Sequence, residues 1–268
     1  MAVHRVVVAG AAGRMGRAAV RTIARREDMV VVGALGRTSG VGQDAGLLAG
    51  VGALGVPVTA DIAQVFLVGR PTVLVDLSRG EAVAAHAEAA LDHRVPVVIG
   101  ATGIPPSDLE RLRARAARDG VGVLVAPNFA LGALLMMEFA RRAAKFFPHA
   151  EITELHHDRK RDAPSGTAIR TARLIAQARG SAPPPAVEEV EQVEGARGGV
   201  VEGVRVHSVR LPGLVAHQEV LFGGPGQVLS IRHDSVSEES FMPGLVLAIQ
   251  KVGTLSGLVE GLEHVLDL

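Results

Sequence analysis

Between Glu154 and Ala168 the chain gathers two adjacent imidazoles, His156 and His157, an ammonium, Lys160, and a helix start at Pro164-Ser165-Gly166-Thr167. Ile152 to His156 read as the end of a strand, Asp158 to Ala163 are too charged to be buried, and Ala168 to Ala178 carry helical apolar periodicity. With Ser165 or its neighbour as N-cap, the unpaired amides near Gly166 and Thr167 face back towards the loop, where the helix dipole favours an anion such as a carboxylate. Lys160 adds a point charge, and a histidine titrating near neutrality can supply a proton to whatever is bound. The chemistry implied is a proton donor beside an acid-binding cradle. The plainer alternative is a charged surface loop ahead of a capped helix. No metal is expected, because neighbouring strand histidines point to opposite faces and no cysteine exists to complete a ligand set.

Composition narrows the setting. The 268 residues are 48% apolar, enough for two domains with ordinary cores, and 28 basic residues balance 28 acidic ones. Such a chain has no global field to attract nucleic acid or an anionic membrane, so neither is expected as a partner. No signal-like segment precedes Val6-Val7-Val8 and no apolar run reaches membrane-spanning length, so a cytoplasmic location is expected. The absence of cysteine excludes disulfides and thiolate chemistry, and the absence of tyrosine excludes any tyrosine acid. Without tryptophan and with seven phenylalanines, stacking on bases has little support.

The elements that must position this chemistry begin with strand His4 to Ala9, the turn Gly10-Ala-Ala-Gly13-Arg14-Met15-Gly16 and helix Arg17 to Arg26. Strand, glycine turn and helix in that order form a dinucleotide fingerprint: Gly10 for the tight turn, Gly13 for pyrophosphate approach, Gly16 for close helix packing. After the next strand, Val30 to Leu35, the chain has Gly36-Arg37-Thr38 where an NAD site carries an acid. A guanidinium and a hydroxyl suit a 2′-phosphate, so NADPH is expected ahead of NADH. Gly40 to Pro57 reads as a loop with a short helix, Asp44 to Leu48. Strands Thr72 to Leu77, Val95 to Ile99 and Val121 to Ala126 then alternate with helices Glu81 to Asp92 and Ser107 to Asp119, the pattern of a parallel doubly wound sheet. Ligands bind such sheets at the carboxyl ends of strands, where Ser78 and the Gly100-Ala101-Thr102-Gly103 turn are candidates to line a nicotinamide.

Pro127-Asn128-Phe129 ends the alternation with an expected hinge near Asn128, and helix Leu131 to Phe147 follows. Past helix Thr167 to Ala178 the segment Ser181 to Pro185 breaks the chain. Val204 to Leu211, Ala216 to Phe222 and Val228 to Asp234 then read as antiparallel strands joined by Pro-Gly and Gly-rich turns. Helix Glu239 to Ser256 is long enough to return to the first domain. The fold expected is α/β: a Rossmann-like parallel sheet over 1–127 completed by 240–268, and an α+β substrate and oligomerisation domain with a mostly antiparallel sheet over 128–239.

Over nearly its whole length the chain resembles the 4-hydroxy-tetrahydrodipicolinate reductases of diaminopimelate and lysine biosynthesis. The marks are Gly10-x-x-Gly13-Arg14-Met15-Gly16, Asn128-Phe129 and above all Glu154-x-His156-His157-x-x-Lys160-x-Asp162-x-Pro164-Ser165-Gly166-Thr167-Ala168. The resemblance implies NAD(P)H-dependent reduction of a cyclic dicarboxylate imine. It implies His156 as proton donor with Lys160 as its partner or a substrate ligand, and His157, Ser165, Gly166 and Thr167 on the substrate. It implies the glycine turn with Asn128 and Phe129 on the cofactor, and a homotetramer joined through the substrate-domain sheets. Three departures stand out: Ala101 where relatives carry threonine, Ser237-Glu238 where many carry an arginine, and Gly36-Arg37 where some keep an acid. Glu238 is expected to point to solvent, with a nearby arginine substituting. The alternatives are a dinucleotide-binding sensor without turnover, for which Glu238 is the best argument, and another two-domain dehydrogenase, which would lack the His-His-x-x-Lys signature.

Overall fold

The structure is a computed structural model and describes residues 3–101, 103–180 and 190–266. Thr102 and the Ser181 to Pro185 break lie outside the described residues. The chain divides into two compact units, one running to Ala130 and resuming at Glu238, the other Leu131–Ser237.

The first unit alternates β1 (His4–Ala9), α1 (Arg14–Ala24), β2 (Met29–Leu35), α2 (Ala45–Ala49), β3 (Val58–Thr59), α3 (Ile62–Gly69), β4 (Val73–Asp76), α4 (Gly80–Asp92), β5 (Val97–Ile99), α5 (Pro106–Asp119) and β6 (Gly122–Val125). With the late strand β12 (Gly257–Glu260), seven strands pair in parallel in the order β12-β6-β5-β4-β1-β2-β3. Apolar strands such as Val6-Val7-Val8 and Val97-Val98-Ile99 are fully buried, as they must be when helices cover both faces.

Several expectations need correction. Helix α1 starts at Arg14 rather than Arg17, with Gly13 as its N-cap, so Arg14, Met15 and Gly16 form its first turn. Strand β3 and helix α3 went unread; Asp61, whose carboxylate accepts from the Gln64 amide at 3.0 Å, caps an apolar run and was the available signal. The expected helix Glu239 to Ser256 is a 3₁₀ turn, Glu238–Phe241, followed by α8 (Met242–Val252). Pro243 lies in the first turn of α8, where its missing amide is harmless, whereas a longer helix would place it inside. Residues beyond α8 form β12 (Gly257–Glu260), which pairs in parallel with β6, and a closing 3₁₀ turn, Leu262–Val265.

The second unit contains α6 (Leu131–Ala143), β7 (His149–His156), α7 (Gly166–Arg179), β8 (Gly199–Val201), β9 (Val204–Arg210), β10 (Ala216–Gly224) and β11 (Gln227–Ser235). Helix α6 ends before the expected Phe147: Pro148 disfavours helical geometry in the residue before it, and the last turn closes through Ala143 with bonds from Phe146 and Phe147 of 2.9 and 3.1 Å. The sheet runs β11-β10-β7-β9-β8. Strand β7 is central, antiparallel to β10 but parallel to β9, so β9 and β10 are separated by it rather than paired as a hairpin. Helices α6 and α7 cover one face, burying Ile152, Val206, Val220 and Phe222 against Ala168, Ala172 and Ile175.

In the first unit, Phe129 is buried, and added methyl groups on Gly100 and Gly244 would lie 2.6 Å from its ring and 2.0 Å from its carbonyl oxygen. Because the backbone oxygen has little room to yield, Gly244→Ala is expected to cost about 1–3 kcal/mol, read as a lowered Tm in thermal unfolding.

Candidate active site

On the inner face of the second sheet, two residues apart on β7, stand Glu154 and His156. Register places Ser208 of β9 beside Glu154 and Arg210 beside His156. Glu154 is fully buried, an environment that ordinarily expels a charge. Arg210 answers it with a two-pronged bond, Nη2 to Oε1 at 2.7 Å and Nη1 to Oε2 at 2.9 Å. The Ser165 amide donates to Oε1 at 3.2 Å, and His156 Nδ1 lies 2.5 Å from Oε2. Burial pushes the Glu154 carboxyl up, but the hydrogen bonds from His156, Arg210 and Ser208 outweigh it and hold the pKa at about 2.

The same arginine organises the loop, since its Nη2 also donates to the Asp162 carbonyl at 2.7 Å. Lys160 Nζ bonds both carboxylate oxygens of Asp162, at 2.9 and 2.7 Å, and this hydrogen bond, working against burial, lowers the Asp162 pKa. The ammonium therefore rests on Asp162 while the imidazole rests on Glu154. His157 Nδ1 is buried and makes no hydrogen bond among the described residues.

Ser165 is the N-cap of α7, its hydroxyl accepting from the Ala168 amide at 3.2 Å and its carbonyl from Ile169 at 3.0 Å. That leaves the Gly166 and Thr167 amides without an intrahelical partner. A methyl group on Gly166 would meet no atom within 4 Å, so its glycine is not required by packing within the chain. Ser165 itself is buried and committed to the cap and to Glu154, a tie between α7 and β7.

In the first unit the glycine turn is tightly constrained. Gly10 has φ +76°, and an added Cβ would lie 2.7 Å from the Leu77 carbonyl oxygen; one on Gly16 would lie 2.0 Å from the Gly10 oxygen. Gly13 opens α1 with no side-chain cap, so the first amides of that helix are available to an anion. These features fit a dinucleotide pyrophosphate. Arg37 and Thr38 are exposed, and Arg37 makes no ion pair among the described residues. A Cβ on Gly36 would fall 2.8 Å from Val58 Cγ1, which disfavours an acid there.

Other candidates have structural partners. Ser78 donates its hydroxyl to Asp76 Oδ1 at 2.5 Å, and Asp76, fully buried at the end of β4, also meets His86 Nδ1 at 2.7 Å. Asp76 and Glu154 were missed as site residues; the signal for Asp76 was a carboxylate within an apolar strand, and for Glu154 a carboxylate two residues before His156 on the same strand face. Asn128 accepts from the Ala130 amide at 2.9 Å, and the Phe129 ring is inside the first unit beside Gly100. Met15 is half-buried in the first turn of α1. Glu238 does not point freely to solvent: its Oε1 lies 3.0 Å from Arg14 Nη1, so this acid compensates an arginine of the glycine turn.

A doubly wound parallel sheet with this glycine turn, in a chain whose second unit carries the imidazole, the ammonium and a helix start with two amides left over by its cap, defines a pyridine-nucleotide-dependent oxidoreductase. Residues 4–129 match the family model for the dihydrodipicolinate reductase N-terminus, and 132–266 that for its C-terminus. The 4-hydroxy-tetrahydrodipicolinate reductase of Moorella thermoacetica is 52% identical over 267 residues, covering 100% of this chain and 99% of the relative. That of Geobacillus thermodenitrificans is 49% identical over 98% of this chain and 99% of its own. A dipicolinate-bound dihydrodipicolinate reductase from Paenisporosarcina sp. TG-14 superposes with a TM-score of 0.87 at 41% identity, covering 98% and 100% of the two chains. The chain belongs to the dihydrodipicolinate reductase family.

Because the folded-state pKa of Glu154 lies below its ordinary 4.5, its contribution to stability is present above that pH and is lost as pH falls from about 4.5 towards about 2. The loss is expected to be on the order of 3 kcal/mol, read from urea midpoints across that range, with a shallower slope in Glu154→Gln.

Proposed function

We infer that this chain reduces the cyclic imine derived from 4-hydroxy-tetrahydrodipicolinate to tetrahydrodipicolinate, the reductive step of diaminopimelate and lysine biosynthesis, at the expense of NAD(P)H. The observation that carries this reading is the single loop in which His156, Lys160 and the free amides of α7 come together, within a family match spanning both units.

The first unit serves the nucleotide and the second the substrate. When bound, the nicotinamide supplies a hydride to the ring. His156 supplies the proton that completes the two-electron reduction. Lys160, exchanging Asp162 for a substrate carboxylate, and the Gly166 and Thr167 amides neutralise the ring's two acids, with His157 beside them. The Paenisporosarcina relative holds dipicolinate, a planar ring dicarboxylate of the kind these donors suit. Gly10, Gly13, Arg14, Met15 and Gly16 hold the pyrophosphate, with Ser78, Gly100, Asn128 and Phe129 towards the nicotinamide. NADPH is the preferred donor, supported by exposed Arg37 and Thr38 and by the crowding at Gly36. We place the protein in the cytoplasm as a homotetramer; exposed Val200 and Val228 on the second sheet support association there.

The direct test follows oxidation of NADPH and NADH by absorbance, with the condensation product of pyruvate and aspartate semialdehyde generated in the cuvette. Turnover is expected only with both precursors present; none with either cofactor, from protein that binds NADPH, overturns the reading. Arg37→Ala is expected to raise the KM for NADPH by ~10-fold or more while leaving that for NADH within about threefold, measured by steady-state kinetics. Lys160→Ala is expected to lower kcat/KM for the substrate by ~10²-fold while NADPH affinity, measured by fluorescence titration, stays within about twofold.

A further inference from the structure

We propose that Glu154 and Arg210 form a buried positioning pair that holds His156 in the Nδ1–H tautomer, making Nε2 the atom that delivers the proton. The inference deepens the function proposed above and rests on His156 being its proton donor.

The argument runs from charge to hydrogen position. A carboxylate held ionised has only acceptors to offer, so the 2.5 Å contact between Glu154 Oε2 and His156 Nδ1 requires the hydrogen to sit on Nδ1. What keeps Glu154 ionised in a fully buried position is the two-pronged Arg210 bond, assisted by the Ser165 amide. The imidazole's other nitrogen, Nε2, makes no hydrogen bond among the described residues and is left to gain and lose the exchangeable proton.

Arg210 adds a second constraint. Its bond to the Asp162 carbonyl anchors the loop that carries Lys160, so one guanidinium sets both the orientation of the acid and the position of the ammonium. The charged groups around the imidazole are Glu154 on its own strand, Arg210 on β9, and Lys160 with Asp162 on the following loop; α7 contributes the Ser165 amide. Of the groups that donate to Glu154, the imidazole and Arg210 set the proton donor, while the Ser165 amide and Ser208 tie the carboxylate to α7 and β9.

The test compares Glu154→Gln with His156→Asn. Glu154→Gln is expected to lower kcat by about 10²-fold or more with little change in substrate KM, because a carboxamide can donate to Nδ1 as well as accept from it and no longer fixes the tautomer. His156→Asn is expected to lower kcat by at least as much. If Glu154→Gln keeps the wild-type kcat while His156→Asn loses it, the positioning pair is wrong and the proton donor stands. If His156→Asn itself keeps turnover, the proton-donor reading fails and takes this proposal with it. Should Glu154→Gln not fold, ring-¹⁵N-labelled histidine in the wild-type protein decides by NMR, with His156→Asn assigning the signal. A neutral ring protonated on Nδ1 supports the proposal; one protonated on Nε2 overturns it.

Discussion

A carboxylate with no exposed surface sits in the middle of the second sheet, and the arrangement of that unit's chemistry depends on how it is compensated. Burying a lone carboxylate is prohibitive, and removing one partner of a buried pair typically costs about 3–5 kcal/mol. The Arg210 fork makes Glu154 tolerable, and once there the carboxylate orders what surrounds it: the ring of His156, the first amide of the α7 cap and, through Arg210, the backbone of the Lys160 loop. Three consecutive segments, β7, the loop after it and the start of α7, are thereby tied to a strand 56 residues away through one ion pair. A purely apolar core would be at least as stable, but it would leave the imidazole free to rotate.

The first unit solves a different problem by a different means. There the chain makes room rather than charge: Gly10, Gly16 and Gly100 stand where any side chain would strike Leu77, the Gly10 carbonyl or Phe129. Three strand ends, those of β1, β4 and β5, are brought together by these close approaches, and Asp76 pins the middle one through Ser78. Parallel strands direct their carboxyl ends to one edge, so the polar groups of three separate turns collect there without any sequence proximity.

The Arg14–Glu238 pair shows how an apparent departure from the family pattern is absorbed. An acid where many relatives carry an arginine would oppose an anion if it stood alone. Paired with the arginine of the glycine turn, it instead trims the local charge, leaving Arg37 as an exposed cation after β2 with no ion-pair partner among the described residues. The pair is largely solvent-exposed and adds little stability; its effect is on the field near the turn.

Much of this was legible in the chain alone. The alternation of strand and helix, the glycine turn, and the strand–loop–helix that carries His156, Lys160 and the α7 cap are all written in local signals, periodicity, turn residues and N-caps, that act over a few residues. The missed helix α3 carried such a signal in Asp61, and the start of α8 carried one in Pro243. What only the tertiary structure decided were the non-local pairings. That β9 rather than β10 completes the site beside His156, that an arginine 56 residues from Glu154 holds it ionised, that Glu238 reaches Arg14, and that residues past α8 add a strand to the first sheet all depend on which segments lie side by side. Strand order is set by burial summed over a whole sheet, and no window of sequence contains that sum.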